Sequence, residues 1–145
     1  MKAVLCKEWG MPGKLVVEDV PSPKPASGQV VVSVKACGVN FPDTLIIQGK
    51  YQFKPEMPFS PGGEVAGVVK EVGEGVNRVK PGDRVIAFNT WGGFAEEMLV
   101  DADRTIPMPA NMDFVPASAF VLTYGTSYHA LKDRAEIKAG ETMLV

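Results

Sequence analysis

The sequence predicts a mainly β (α+β) fold: a β-rich body over residues 1–112, then helices and the start of a further strand over 113–145. Two observations carry that prediction. Short runs rich in valine and isoleucine alternate inward and outward positions, the pattern of half-buried strands. Between them glycines and prolines gather in "PSPKPASG", "PFSPGG", "KPGD" and "IPMPANMD", which punctuate the chain as tight turns do. A third observation sets the boundary: after "PANMD" the glycine-proline punctuation thins and helix-forming residues take over.

Taken in order, "MKAVLCK" alternates and reads as a strand, and "KLVVEDV" (Lys14 to Val20) as a second. "PSPKPASG" is a stiff surface connection, because each proline fixes its own φ. "QVVVSVKACGV" (Gln29 to Val39) is a β-branched strand with Val30, Val32 and Val34 on one face. Asn40 stands where it can cap a short helix, "FPDTLIIQG", with Pro42 in the first turn and Gly49 as the stop. "EVAGVVKEVG" (Glu64 to Gly73) is the next strand. In "KPGDRVIAF" Pro81-Gly82 make a turn and Val85 and Ala87 alternate with Ile86 and Phe88. "GGFAEEMLVDADRT" reads as a single strand opened by a glycine pair. Asp113 then caps a helix over Phe114 to Ala135, which Gly125 is expected to break or kink. "KAG" closes a turn and "ETMLV" begins a β-like run that reads as interrupted, so a longer native chain is expected.

Composition narrows the function. Fifteen Lys and Arg against seventeen Asp and Glu leave a net charge of −2, and no basic run offers a footprint for nucleic acid. The longest apolar stretch, "AFVLTYGTSYHAL", is too short and too polar to cross a bilayer, and the N-terminus lacks the apolar core of a secretory signal. Two cysteines, Cys6 and Cys37, do not make a disulfide framework. A reducing, cytoplasmic setting is the expectation.

Four stretches, "CGVNFPD", "PFSPGGEVAGVVKEVGEGV", "VKPGDRV" and "GGFAEEMLV", resemble in order and spacing the GroES-like N-terminal domain of the medium-chain dehydrogenase/reductase superfamily. Within it the chain looks most like the zinc-free, NADPH-dependent quinone oxidoreductases. The resemblance implies a GroES-like, partly open β-barrel, connecting helices, and a Rossmann domain that is not in this chain. It also implies a small-molecule quinone or α,β-unsaturated carbonyl as hydride acceptor. The 145 residues alone are not expected to bind NADPH tightly, because the phosphate-cradling turn would lie downstream. Some apolar surface should be exposed, which makes a homodimer an expectation.

The zinc-dependent relatives carry a cysteine where this chain has Asn40 and a histidine where it has Gly63. A catalytic zinc needs three protein ligands, and Asn40 and Gly63 cannot supply two of them, so no metal is expected. Cys37 lies three positions early, and its simplest reading, like that of Cys6, is a small buried apolar residue. His129 is the only histidine and falls on the helix, away from any second ligand.

By resemblance, Asn40 and Thr126 are cofactor-binding and Tyr51 is catalytic. Asn40 would contact the nicotinamide end, a role compatible with capping the helix. Tyr51 would donate a hydrogen bond to a developing oxyanion, or else simply pack. Leu45 stands where many relatives have a second tyrosine, so a tyrosine pair is missing. The Thr126 hydroxyl would face the cofactor, unless it bonds its own i−4 carbonyl. Thr123, Tyr124 and Tyr128 are its neighbours. Glu64 reads as a structural carboxylate accepting backbone N–H groups, and Trp91 as a pocket wall or a packing residue. A non-catalytic alternative stays open: a stand-alone GroES-like module that binds a partner or self-associates.

Overall fold

The computed structural model describes residues 1–144. Among the described residues seven strands form two sheets. β1 (Lys2–Leu5) pairs antiparallel with β2 (Val16–Asp19). The larger sheet contains β3 (Gln29–Gly38), β4 (Glu64–Val72), β5 (Arg84–Phe88), β6 (Glu97–Asp101) and β7 (Thr105–Pro107), in the spatial order β6-β3-β4-β5-β7, all antiparallel. Neither sheet closes into a barrel. Two isolated bridges, Ala3 with Ala95 and Cys6 with Phe59, tie the small sheet to the large one.

The alternation read from the sequence is the alternation of the core. Val30 and Val32 of β3, Val65 and Val69 of β4, Val85 and Ala87 of β5, and Met98 and Val100 of β6 pack into one buried cluster. Ala66 and Ile86 point the other way, where Ala117, Phe114 and Val121 cover them. A period of two thus gives the central strands two apolar faces.

One connection departs from the expectation of a single long strand over "GGFAEEMLVDADRT". The chain turns through a 3₁₀ segment at Ala102–Arg104, closed by the Thr105 hydroxyl donating to Ala102 O at 2.6 Å, and re-enters as β7 on the opposite edge. In a flat sheet four strand spacings would separate those edges by about 19 Å. A three-residue turn of 3₁₀ geometry advances only about 6 Å, so the sheet must curl until its edges nearly meet.

α1 (Phe41–Ile46) forms as expected, with Asn40 as its N-cap. The expected helix from Phe114 to Ala135 does not. α2 (Phe114–Ala117) ends at Ser118, and a second helical run begins at Val121 and continues to Arg134 through α3 (Thr126–Tyr128), with wide π-type turns on either side. The break falls at 118–120, not at Gly125, whose φ of −62° and ψ of −43° are helical. Glycine permits a kink without requiring one; the interruption is fixed by an acceptor outside the helix, described below. Glu141–Leu144 form no strand, contrary to the reading of "ETMLV", whose Val145 lies outside the described residues. No helix among the described residues is long and apolar enough to cross a membrane.

Candidate functional site

The segment between β3 and α1 and the loop before β4 are joined by one carboxylate. Asp43 is 6% exposed. Its Oδ2 accepts the Asn40 N–H at 2.8 Å, in a capping-box arrangement at the start of α1. Its Oδ1 accepts the Gly62 N–H at 3.2 Å. Gly62 has a φ of +91°, and a side-chain carbon there would lie 2.8 Å from Phe94 N. The loop is itself stitched to residues 92–94: Gly92 donates to Ser60 O at 2.7 Å, Gly93 to Gly62 O at 2.8 Å and Phe94 to Pro61 O at 2.8 Å. The pairing of Cys37 with Asp43, which in sequence looks like half of a metal site, is thus a strand residue followed by a structural bridge. The N-x-x-D spacing of Asn40 and Asp43 is the sequence signal of the capping half of that bridge only.

Glu64 opens β4 and is fully buried. Its Oε1 accepts the N–H of Val121 and, at 3.2 Å, that of Leu122. These are unpaired donors of a helix start, so the second helical run begins where Glu64 receives it. The reading of Glu64 as an acceptor for backbone N–H groups agrees with this geometry; that the donors come from a segment some 57 residues away was not visible in the sequence. Its Oε2 is buried without a hydrogen-bond partner, and so is the Nδ2 of Asn40.

Burial pushes the Glu64 carboxyl above its ordinary range, with the N–H groups of Val121 and Leu122 and the Asn40 carboxamide pulling it back. Burial raises Asp43 also, opposed by its bonds from Asn40 and Gly62. A folded-state proton affinity above the unfolded one adds stability at low pH and loses it as pH rises. The stability of the protein relative to Glu64→Gln is therefore expected to be greatest below about pH 4.5 and to decline as pH climbs through the raised folded value. Urea denaturation of both proteins across pH 4 to 8 checks this, and a difference that grows with pH would contradict it. Comparison with the variant removes the opposite slopes of Glu97 and Asp83, which Lys70 and Lys80 hold low.

The other residues singled out by sequence are placed as follows. Tyr51 is half-buried and packs with Trp91 on the cluster of Cys6, Ile46, Ile47 and Phe59, beneath α1. Phe53 meets the Tyr51 ring edge-on at 6.1 Å. Thr126 is exposed, and its hydroxyl makes no hydrogen bond among the described residues; the i−4 bonds of this run come from Thr123 and Ser127. Asn40 and Glu64 are brought together, and Thr126 follows one turn beyond Leu122. Tyr51 is tied to them only through α1. Val39 and Phe41, on either side of Asn40 in sequence, are 77% and 73% exposed. Trp91 lines a cavity of about 450 Å³ with Ser60, Asn89 and Leu99, and none of Asn40, Tyr51 and Thr126 contributes to it. Trp9, which the sequence left without a role, lies against Gly49 and 6.0 Å from Phe59.

Among the described residues no group of three His, Cys, Asp or Glu side chains could hold a metal ion. A side-chain carbon at Gly63 would lie 2.9 Å from Asn89 O, closer than real Cβ contacts come. Burial drives the Cys37 thiol up to about 12. His129 is exposed, with Nδ1 2.8 Å from Asp133.

Residues 26–110 match the family profile of the alcohol dehydrogenase GroES-like domain. The chain is 44% identical over 146 residues to a quinone oxidoreductase-like protein 2 homolog of Nematostella vectensis, covering 99% of this chain and 40% of that one. It is 43% identical to the quinone oxidoreductase of Rattus norvegicus, covering 100% of this chain and 45% of that one. The crystal structure of the Escherichia coli quinone oxidoreductase complexed with NADPH superposes with a TM-score of 0.92 at 34% identity, over 97% of this chain and 43% of that chain. The chain thus spans less than half the length of these relatives.

Proposed function

Because the chain belongs to the alcohol dehydrogenase GroES-like domain family, we propose that it forms the substrate-side part of a zinc-independent, NADPH-dependent oxidoreductase acting on a quinone or an α,β-unsaturated carbonyl. In this reading residues 1–112 are the GroES-like domain and 113–145 lead into a nucleotide-binding domain. The observation that carries it is the meeting of Asn40, Glu64 and the start of the helical run bearing Thr126, in a chain that is 41–44% identical throughout to quinone oxidoreductases.

The residues present fit the polar edge of a nicotinamide cofactor. Asn40 carries a carboxamide whose carbonyl can accept, flanked by the exposed Val39 and Phe41, and Thr126 an exposed hydroxyl free to donate or accept. NADPH, when bound, supplies the hydride. Asn40 and Thr126 orient, and the Tyr51 phenol donates to the oxygen on which negative charge develops. Val39 and Phe41 offer exposed apolar surface beside Asn40 suited to a quinone ring. Zinc independence is supported by Asn40 and Gly63 in place of metal ligands and by the backbone oxygen that crowds position 63. A cytoplasmic setting is supported by two free cysteines.

A second reading, a self-associating module without catalysis, is favoured by one feature. Phe120, Tyr124 and Tyr128 form an exposed aromatic row at helical spacing, 45%, 65% and 59% exposed. Intact mass of the native protein, with NADPH oxidation assayed against a quinone and an enone, separates the two. A chain longer by a domain that oxidises NADPH with either acceptor supports the first. A 145-residue protein without turnover supports the second.

A further inference from the structure

Glu64 has two oxygens and only one is used. Oε1 receives the helical run at Val121 and Leu122; Oε2 is buried without a partner. Among the described residues the one unpartnered buried side-chain donor is Asn40 Nδ2, two residues past Gly38, which is the strand partner of Glu64. The Asn40 carboxamide already helps to hold the Glu64 charge. A carbon added to Gly38 would lie 3.4 Å from Asn40 Nδ2 and against the Ser118 carbonyl, so the amide nitrogen shares its space with the turn before that run. A buried acceptor and a buried donor left unpaired each cost the fold the desolvation that one hydrogen bond would recover.

Resting on the function proposed above, we propose that Glu64 is a positioning residue that sets the orientation of the Asn40 carboxamide: Oε2 takes Nδ2, and the carbonyl Oδ1, which the capping box turns toward the Asp43 N–H, keeps a second lone pair as an acceptor at the cleft. One side chain then holds two of the groups assigned to the cofactor, Asn40 directly and Thr126 through the start of its helix. Asn40, with its nitrogen committed, presents no donor. Stabilising a developing oxyanion therefore falls to the hydroxyls of Tyr51 and Thr126. The spare capacity of Asn40 suits an N–H donor, such as the carboxamide of a nicotinamide.

Glu64→Gln separates the two duties. The glutamine carbonyl still accepts from Val121 and Leu122, but its NH₂ cannot accept from Asn40. In the ¹⁵N-labelled protein, one Asn40 side-chain amide proton is expected to exchange at least about tenfold more slowly than those of exposed Asn111. In Glu64→Gln that protection is lost while the Val121 and Leu122 amides keep theirs. In the NADPH assay the variant is expected to lose about 10–100-fold, chiefly in kcat. The paired variant Glu64→Gln with Asn40→Asp puts the donor on residue 64, restores an acceptor at residue 40 and is expected to regain most of that loss. Asn40 amide protons that exchange in the unaltered protein as fast as those of Asn111 would overturn the proposal, even if Glu64→Gln fails to fold. So would a Glu64→Gln protein in which they stay protected. Protection present in the protein and lost in the variant, with no NADPH turnover in either, would uphold the Glu64–Asn40 pair and remove the enzymatic reading instead.

Discussion

Gly62→Ala is expected to cost the fold about 3 kcal/mol. The backbone at Gly62 has a φ of +91°, where a side chain is strained by about 1–3 kcal/mol. The added carbon would also meet Phe94 N at 2.8 Å. That contact cannot be relieved by rotating a side chain, since residues 60–62 and 92–94 are held by three backbone hydrogen bonds, and Phe94 O in turn takes the Val4 N–H at 2.8 Å. The loop joins α1, β4 and the small sheet, so strain there reaches all three. Urea denaturation should show a lower midpoint with an unchanged slope. A midpoint equal to that of the parent protein would show that the loop yields and that the restraint on Gly62 is not real.

The same loop predicts a second large loss. Asp43→Ala removes the acceptor of two N–H groups, those of Asn40 and Gly62, and leaves both inside. Each hydrogen bond to a buried charged group is worth about 1.5–3 kcal/mol. Part of that is offset by no longer burying a carboxylate, and a net loss of about 3 kcal/mol is expected. Because Asp43 and Gly62 touch, the two changes together should cost less than their sum. Simple additivity in the double variant would mean that the bridge does not couple α1 to the loop.

The strands were legible because one physical signal, alternation of β-branched residues, is both local and sufficient. Val30, Val32, Val85 and Ala87 could be assigned to one face from sequence and share one core. β7 was not legible: three residues, Thr105–Pro107, are too few to show a period and end in proline. The helix boundary at Ser118 escaped for a different reason. Nothing in residues 114–135 marks it; the interruption is set by a carboxylate distant in sequence, and local propensity cannot report a tertiary acceptor. The same holds for the candidate site. Asn40 could be singled out by its motif and Glu64 by its place after two glycines, but their adjacency depends on where β4 lies beside the end of β3. The N-x-x-D spacing of Asn40 and Asp43 fits a helix cap on local grounds, whereas the bond from Gly62 to Asp43 has no local signal.

The three-residue turn between β6 and β7 has a consequence for how molecules of this protein meet one another. An open sheet presents two rows of unpaired N–H and C=O groups, and any second chain with an extended segment can add to them, the first step toward a fibril. Here the curl turns the two borders toward each other across Ala102–Arg104, and the later border is only three residues long and ends in a residue that cannot donate. An incoming strand finds neither the length nor the open approach it needs at that seam. Lengthening the turn would let the borders part, and thioflavin-positive aggregates would be the sign that they had.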